Sequence, residues 1–258
     1  MLVVGVAADR VVFDKLVSFD VMYQLGNQLV WQEIEKTNQK SLLTIATANR
    51  YFMALIKEVL HLLHYDEQRG ELIKIALNWQ ALTKRVVSAG RKSELLLQAC
   101  KLTAKDTVID ATAGFGYDAL ILASTGATVT MIEQNPIMAL LLFAEKQAMY
   151  AHQHWHGLLS RLSIVHDSVL NYTQSADMVY LDPMFPKDSY GARVNKHMQA
   201  LHGLVFAPSI DEEKHLLAHA KRLAPQGRVI VKRPIGAPFL ANEPPVQSWQ
   251  NEALRFDG

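Results

Sequence analysis

Residues 107–118, which read TVIDATAGFGYD, constrain the possible fold more than any other stretch of the chain. The mostly apolar run at their start predicts a buried strand, and Gly114 and Gly116 then predict a tight turn. The residues after this turn predict the start of a helix. A strand that leads through a glycine turn into a helix exposes backbone N–H groups to a ligand. The stretch therefore predicts an α/β unit that binds a nucleotide-like molecule.

Two carboxylates flank this turn and indicate the class of ligand. The spacing of Gly114, Gly116 and Ala119 satisfies the loose dinucleotide pattern, which alone is weak. However, Asp110 and Asp118 would repel a pyrophosphate and would attract a ligand that carries an ammonium and a sulfonium. The sequence therefore favours S-adenosylmethionine (SAM) as the cofactor over NAD.

The composition excludes several classes of protein. The chain has 258 residues, of which 50% are hydrophobic, and its net charge is +1. This length fits one large domain or a domain with an appendage, and an RNA partner would have to meet a local basic patch. Cys100, the single cysteine, lies in an apolar run and is expected to be a buried, unreactive thiol. We expect no disulfide, no metal and no membrane partner, and we expect a cytoplasmic protein.

Residues 1–90 differ in pattern from the rest and predict a smaller N-terminal α+β region that is a candidate for substrate binding. We expect strands at 2–6, 11–13 and 72–77, and a long helix from Ser41 towards Tyr65. His61 and His64 would lie three residues apart on this helix. They have no carboxylate or cysteine neighbours in the sequence, so a metal site is not expected there.

Residues 91–258 alternate between strand and helix patterns. Ser93 is a candidate cap for a helix over 94–102, and Ser209 opens a capping box for a helix to Leu223. Pro136 suits the first turn of a helix that runs to about Tyr150. Strands are expected at 108–111, 128–132, 162–165, 178–181 and 228–231. This alternation predicts a doubly wound, mostly parallel sheet.

Acidic residues recur where successive predicted strands end. In a doubly wound sheet, ligands bind outside the carboxyl ends of the strands. Glu133 follows the glycine turn by roughly 20 residues, where an acid can accept both ribose hydroxyls. Asp167 could accept from an adenine amino group, and Ser168 could add a polar contact.

The sequence Asp182-Pro183-Met184-Phe185 follows the fourth of these strands. An exocyclic amine on a base is a poor nucleophile because its lone pair is delocalised into the ring. The Asp182 carboxylate and the Pro183 carbonyl could accept hydrogen bonds from the two N–H groups of this amine, and Phe185 could stack on the base. The segment therefore predicts the catalytic part of a base methyltransferase.

Basic residues near these motifs are candidates for phosphate contacts. The densest run lies at 84–93, and further cations follow Phe185 and the predicted strand 228–231. The candidates for RNA binding are Lys84, Arg85, Arg91, Lys92, Lys187, Arg193, Lys196, Lys232 and Arg233.

Residues 110–118 together with residues 180–186 resemble the ribosomal RNA small subunit methyltransferase J family. Residues 131–136, 229–234 and 255–257 are also similar, so the resemblance covers about residues 72–257. It implies a class I SAM-dependent, Rossmann-like enzyme that methylates the exocyclic N2 of a guanosine in bacterial 16S rRNA, as free RNA or in the small ribosomal subunit. It implies SAM contacts at Tyr117, Asp118, Glu133, Gln134, Ser168 and Asp182. The first 70 residues do not follow the family pattern, and the last strand would be expected to continue past Gly258.

Three alternatives remain compatible with the residues themselves. An NAD-dependent oxidoreductase would use the same glycine turn and Glu133, but it would leave Asp182 and the residues after it without a role. A non-catalytic RNA-binding module could keep the same fold. A methyltransferase could also act on adenine N6 or on a small-molecule amine.

Overall fold

The computed structural model describes residues 3–7, 29–36, 38–49, 51–90, 92–185 and 205–258. These residues form two sheets. The smaller sheet contains β1 (Val3–Ala7), β2 (Leu29–Glu33), β3 (Tyr51–Ile56), β4 (Val59–Asp66) and β5 (Glu71–Ile75). The larger sheet contains β6 (Thr107–Asp110), β7 (Thr128–Glu133), β8 (Leu162–His166), β9 (Met178–Leu181), β10 (Arg228–Pro234), β11 (Ser248–Gln250) and β12 (Leu254–Asp257).

The larger sheet has the strand order β11-β12-β10-β9-β6-β7-β8. The five strands from β10 to β8 pair in parallel, and β12 and β11 add an antiparallel edge. The chain proceeds outward from β6 through β7 to β8 and then returns to β9 on its other side. This reversal makes the carboxyl ends of β6 and β9 the topological switch point, where open α/β sheets bind ligands. The predicted doubly wound, mostly parallel sheet is confirmed.

Seven helices accompany the sheets in the described part of the chain: α1 (Gln39–Ala48), α2 (Thr83–Ser88), α3 (Leu95–Cys100), α4 (Tyr117–Ala123), α5 (Pro136–Met149), α6 (His156–Leu159) and α7 (Ile210–Leu223). The predicted capping box of α7 is present, with Ser209 and Glu212 bonding reciprocally. Pro136 opens α5, as predicted. The Ser93 cap is wrong, because α3 begins after Glu94 and the Ser93 hydroxyl instead accepts from the Gly90 N–H.

The predicted long helix from Ser41 to Tyr65 is also wrong. The structure has α1, which Asn38 caps, followed by the antiparallel hairpin of β3 and β4. Its two-residue turn, Lys57-Glu58, adopts positive φ angles of 51° and 64° without a glycine or an asparagine, so the usual hairpin signal is missing. His61 and His64 therefore lie on a strand. The predicted strands at 2–6 and 72–77 are found close to their positions, and 11–13 lies outside the described residues.

One hydrophobic cluster joins the two sheets. It contains Met53 and Leu62 of the small sheet together with Leu120 and Leu140 of the helices on the large sheet. Cys100 lies fully buried in the same cluster, as expected. The opposite face of the large sheet packs against α7. The predicted boundary at residue 90 thus separates two regions that share a core. Within the described residues, no helix combines the length and hydrophobicity needed to cross a membrane.

Candidate functional site

The glycine turn lies at the switch point, between the end of β6 and the start of α4. Gly114 and Gly116 have φ angles of +54° and +73°, which residues with a Cβ rarely adopt. A Cβ on Gly116 would lie 2.9 Å from Trp79 Cζ2 and 3.0 Å from Leu142 Cδ2. Gly116 is therefore required by both its backbone conformation and its packing.

Trp79, which belongs to the N-terminal region, packs against this turn. Its ring is fully buried, and its Nε1–H donates to the carbonyl of Phe115 over 2.9 Å. Its backbone N–H donates to Glu145 of α5 over 2.6 Å. The sequence analysis missed this residue because a lone tryptophan outside the α/β pattern carries no motif. The N-terminal region thus helps to shape the glycine turn.

Glu133, the last residue of β7, binds the same turn with its carboxylate. One oxygen accepts from the Gly114 N–H at 2.9 Å, and the other accepts from the Asn135 N–H at 2.8 Å. Burial raises the pKa of Glu133 to about 7, although these backbone hydrogen bonds oppose the shift. Each oxygen keeps a second lone pair for a ligand. The residue is fixed at the position that the sequence predicted for a ribose contact.

Asp110, the last residue of β6, is buried. The side chain is 1% exposed, and it accepts from the Thr112 N–H at 3.3 Å. Burial, followed by repulsion from Asp118, raises the pKa of Asp110 well above its usual range. The protein encloses this carboxyl group, whose hydrogen bond holds the backbone of the turn. The attraction of a cationic ligand by Asp110 stays a prediction.

The predicted adenine contacts lie after β8. Asp167 is exposed, and its Oδ1 accepts from the Ser168 N–H at 2.7 Å and from the Asn171 amide at 2.8 Å. The Ser168 hydroxyl caps the following turn by accepting from the Leu170 N–H. Gln134 is exposed next to Glu133. These residues lie at adjacent strand ends, and their adenosine contacts stay a prediction.

Asp182 follows β9 and lies at the switch point beside the glycine turn. Its N–H donates to the Thr112 hydroxyl over 2.6 Å, which joins the loops after β6 and β9. The side chain is 27% exposed, and burial is the main reason that the pKa of Asp182 is raised. Oδ2 accepts from Lys232, whereas Oδ1 has no hydrogen-bond partner in the described part of the chain. One carboxylate oxygen is thus available to an incoming donor.

Lys232 of β10 connects Asp182 to Asp118, the second residue of α4. Its ammonium lies 2.8 Å from Asp182 Oδ2 and 2.7 Å from Asp118 Oδ2. The Tyr180 hydroxyl also donates to Asp118 Oδ2, at 2.7 Å. Burial opposes ionisation of Asp118, but the ammonium and these hydrogen bonds lower the pKa of Asp118 below its usual value. The two carboxylates raise the pKa of Lys232 despite its burial. Sequence reasoning placed Lys232 among the phosphate contacts and missed this arrangement.

Phe185 ends the Asp182 segment against Arg233. The guanidinium carbon of Arg233 lies 5.5 Å from the centre of the Phe185 ring, which is a cation–π distance. Arg233 also donates to Glu213 and to the Pro238 carbonyl, so its charge is paired inside the protein. Phe185 is 7% exposed. Stacking of a base on Phe185 stays a prediction, and it requires access to a ring that this structure encloses.

The remaining phosphate candidates have mixed positions. Lys84 and Lys92 are exposed. Arg85 makes a two-pronged ion pair with Glu94, at 2.8 Å for both hydrogen bonds. Lys232 and Arg233 turn inward to carboxylates, so their positions do not support phosphate contacts. The candidates that lie outside the described residues are Arg91, Lys187, Arg193 and Lys196.

The donor and acceptor groups at this edge fit SAM. Asp118 and Asp182 are partly exposed carboxylates, and each has an oxygen that receives no hydrogen bond in the described residues. Such groups suit the ammonium and sulfonium of SAM. Glu133 offers acceptor positions for ribose hydroxyls. Tyr117 is half-buried beside Asp118, its ring 5.7 Å from that of Phe115, and the two could line an apolar wall.

Comparisons with known proteins agree with this assignment. Residues 36–258 match the family described as "Putative SAM-dependent methyltransferase". A ribosomal RNA small subunit methyltransferase J from Psychrobacter arcticus is 56% identical over 210 residues, which are 72% of this chain and 71% of that protein. The protein of the same name from Acinetobacter baumannii is 38% identical over 200 residues, again 72% of this chain and 71% of that protein.

Among solved structures, a SAM-dependent methyltransferase from Neisseria gonorrhoeae has the same fold. The two superpose with a TM-score of 0.72 and 24% sequence identity, covering 98% of this chain and 94% of that chain. At this identity, the likeness supports the fold alone. It extends over both sheets and so includes the N-terminal region that lacked a recognisable pattern.

Proposed function

Because the chain belongs to the ribosomal RNA small subunit methyltransferase J family, we propose that it methylates the exocyclic N2 amine of a guanosine in 16S rRNA. SAM is its cofactor, and ribosomal RNA of the small subunit is its substrate. The NAD-dependent alternative is set aside, since the family match is to SAM-dependent methyltransferases. The N2 position and the roles of individual residues belong to the proposal.

One observation carries the proposal furthest. The glycine turn and the Asp182 segment lie side by side at the switch point, joined by the hydrogen bond from the Asp182 N–H to Thr112. A cofactor held by the turn and an amine held by Asp182 would therefore be neighbours. Asp182 Oδ1 has no partner in the described residues, and it is the acceptor that an N–H donor would find.

The chemistry requires little beyond correct placement. Bound SAM supplies a methyl group on a positively charged sulfur. Asp182 Oδ1 and the Pro183 carbonyl accept hydrogen bonds from the two N–H groups of the guanine amine. These hydrogen bonds aim the nitrogen at the methyl carbon and raise the electron density on the nitrogen. As the nitrogen–carbon bond forms and the sulfur–carbon bond breaks, the nitrogen becomes acidic and loses one proton to Asp182 or to water.

The target base must leave its stack to reach this position. A guanine amine inside helical RNA lies against its pairing partner, so the nucleotide has to be flipped out or already be single-stranded. Lys84 and Lys92 are exposed cations among the described candidates and suit contacts with the phosphate backbone. The protein's net charge of +1 gives no general attraction, which makes local cations necessary.

The test is methylation of small ribosomal subunits from a strain that lacks the gene. Purified protein and labelled SAM are added to particles or to protein-free 16S rRNA, and the modified nucleotide is mapped by mass spectrometry. We expect N2-methylguanosine at one site in wild-type reactions and none with Asp182→Ala. Methylation of an adenine, or of no RNA at all with intact SAM binding, would overturn the proposal.

A further inference from the structure

We propose that Lys232 is a positioning residue that keeps Asp182 ionised and oriented beside Asp118, so that Asp182 Oδ1 is ready to accept from the target amine. This inference rests on the proposed function, since it concerns the same site. Lys232 is on β10, the strand next to β9, and its side chain reaches across the carboxyl end of the sheet. Within the described residues, its ammonium donates to Asp118 and Asp182.

Several acidic groups are crowded around the Lys232 ammonium. Asp118, Asp182 and Asp110 belong to three different elements and repel one another at this edge, and the Tyr180 phenol lies among them. The nearby cations are Lys232, Arg233 and Arg85. Arg233 is paired with Glu213, and Arg85 is paired with Glu94. Lys232 is therefore the cation that directly compensates Asp118 and Asp182 in the described structure.

The hydrogen bonds of Lys232 also orient the Asp182 carboxylate. The ammonium donates to Oδ2 of both carboxylates, at 2.7 and 2.8 Å, and leaves Oδ1 of Asp182 without a partner in the part of the chain that the structure describes. A carboxylate held by one oxygen presents the other in a fixed direction. Without the ammonium, two neighbouring carboxylates would share a proton, and a protonated Asp182 would accept poorly from an amine.

The charge of the group also has a consequence for SAM. With both acids ionised and Lys232 protonated, the three side chains carry one net negative charge. SAM at neutral pH has an ammonium, a sulfonium and a carboxylate, so it carries one net positive charge. Lys232 thus leaves one net negative charge that attracts the cofactor. Its ammonium also disfavours the uptake of a proton by the two carboxylates.

The experiment compares Lys232→Met and Lys232→Arg with wild type. Lys214→Met is the matched control, because Lys214 makes an exposed ion pair with Asp211 on α7. Methyl transfer is measured at saturating SAM between pH 6 and 9. We expect Lys232→Met to lose at least about tenfold in rate at pH 7 and to recover as the pH rises, because Asp182 then ionises without its partner. In Lys232→Arg, the fall in rate on the acidic side of the pH–rate profile, its acidic limb, should occur at the same pH as in wild type.

The double variant Lys232→Met/Asp118→Asn provides a sharper test. Removing the second negative charge should return the acidic limb of the rate profile towards its wild-type position, whatever the absolute rate. An unchanged limb in Lys232→Met would overturn the proposal. A rate loss that is constant across pH and follows a lower melting temperature would overturn it as well, since it would indicate a structural role alone.

Calorimetric titration with SAM separates this proposal from the proposed function. If wild type binds SAM but methylates no guanosine, the N2 assignment fails. The role of Lys232 is still decided by SAM affinity, which should depend on pH more steeply in Lys232→Met than in wild type between pH 6 and 8. Equal pH dependence in the two proteins would refute it.

Discussion

The two sides of the site hold their carboxylates by different means. At the end of β7, Glu133 is 8% exposed and accepts from two backbone N–H groups. On the other side, Asp118 at the start of α4 and Asp182 after β9 have side chains that are 17% and 27% exposed and are held by the Lys232 ammonium. Backbone amides fix a position without adding a full charge, and burial then raises the pKa of Glu133 to about 7. An ammonium supplies a countercharge, which lowers the pKa of Asp118 and opposes the rise that burial causes in the pKa of Asp182.

We infer that this difference divides the site into a part that binds the cofactor and a part that orients the amine. A rigid acceptor such as Glu133 suits recognition of cofactor hydroxyls, whose positions do not change during the reaction. A charged, partly exposed group such as Asp182 suits an amine whose charge changes as the bond forms. A substitution of Glu133 should therefore lower the methyl-transfer rate only at low SAM concentration. A substitution of Asp182 should lower the rate even at saturating SAM.

The largest effect is expected from Asp182→Ala. Loss of the carboxylate removes the acceptor that orients the amine, and methyl transfer at saturating SAM should fall by about 10²- to 10⁴-fold. The melting temperature should stay close to wild type, because the side chain is partly exposed and its backbone contact with Thr112 remains. A rate within about threefold of wild type would refute the catalytic role of Asp182.

Gly116→Ala tests the turn that both sides share. The alanine would have to adopt a φ of +73°, and its Cβ would lie 2.9 Å from Trp79 Cζ2. We expect the free energy of unfolding to fall by about 2–4 kcal/mol, measured by urea denaturation. Gly157→Ala is the control, since a Cβ there meets no atom within 4 Å. It should change stability by less than about 1 kcal/mol.

Glu133→Gln tests the binding side. The amide keeps the shape but loses the charge, and one of its two acceptor positions becomes a donor that faces a backbone N–H. SAM affinity should weaken by about 10- to 100-fold, which corresponds to about 1.5–3 kcal/mol for a hydrogen bond to a charged group. Isothermal titration measures the change. Unaltered affinity would show that Glu133 does not contact the cofactor.

The smallest effect is the pH dependence of SAM binding. The pKa of Glu133 is raised, so its carboxyl is largely neutral at pH 6 and ionised at pH 8. Hydroxyl donors prefer the ionised form, and SAM affinity should therefore drop by about tenfold from pH 8 to pH 6. Glu133→Gln should lack this dependence. A wild-type affinity that is flat across this range would contradict the assigned contact.

The sequence predicted the five parallel strands of the large sheet, β6 to β10, because each carries a short apolar run and a clear terminus. Pro136 at the start of α5 and the Ser209 capping box both act locally. The small sheet was partly missed for the opposite reason. The hairpin turn at Lys57-Glu58 has no turn residue, and the apolar spacing before it also satisfies a helix.

The site was predicted where a residue's role follows from its place on its own strand. Glu133 and Asp182 lie at strand ends, and the structure brings them to one edge. Lys232 and Trp79 could not be assigned in this way, since their roles depend on partners 114 and 36 residues away in the chain. Asp110 was predicted to face the ligand, but it is 1% exposed, and burial is a property of the folded protein.

We propose that Glu133 serves cofactor binding and that Asp182 serves methyl transfer, and one paired measurement tests this division directly. Methyl-transfer rates of Glu133→Gln and Asp182→Ala are followed on the same ribosomal particles while the SAM concentration is raised to saturation. We predict that Glu133→Gln approaches the wild-type rate at high SAM, whereas Asp182→Ala stays slow at every concentration. Recovery of Asp182→Ala at high SAM, or a Glu133→Gln rate that stays low at saturation, would contradict this division.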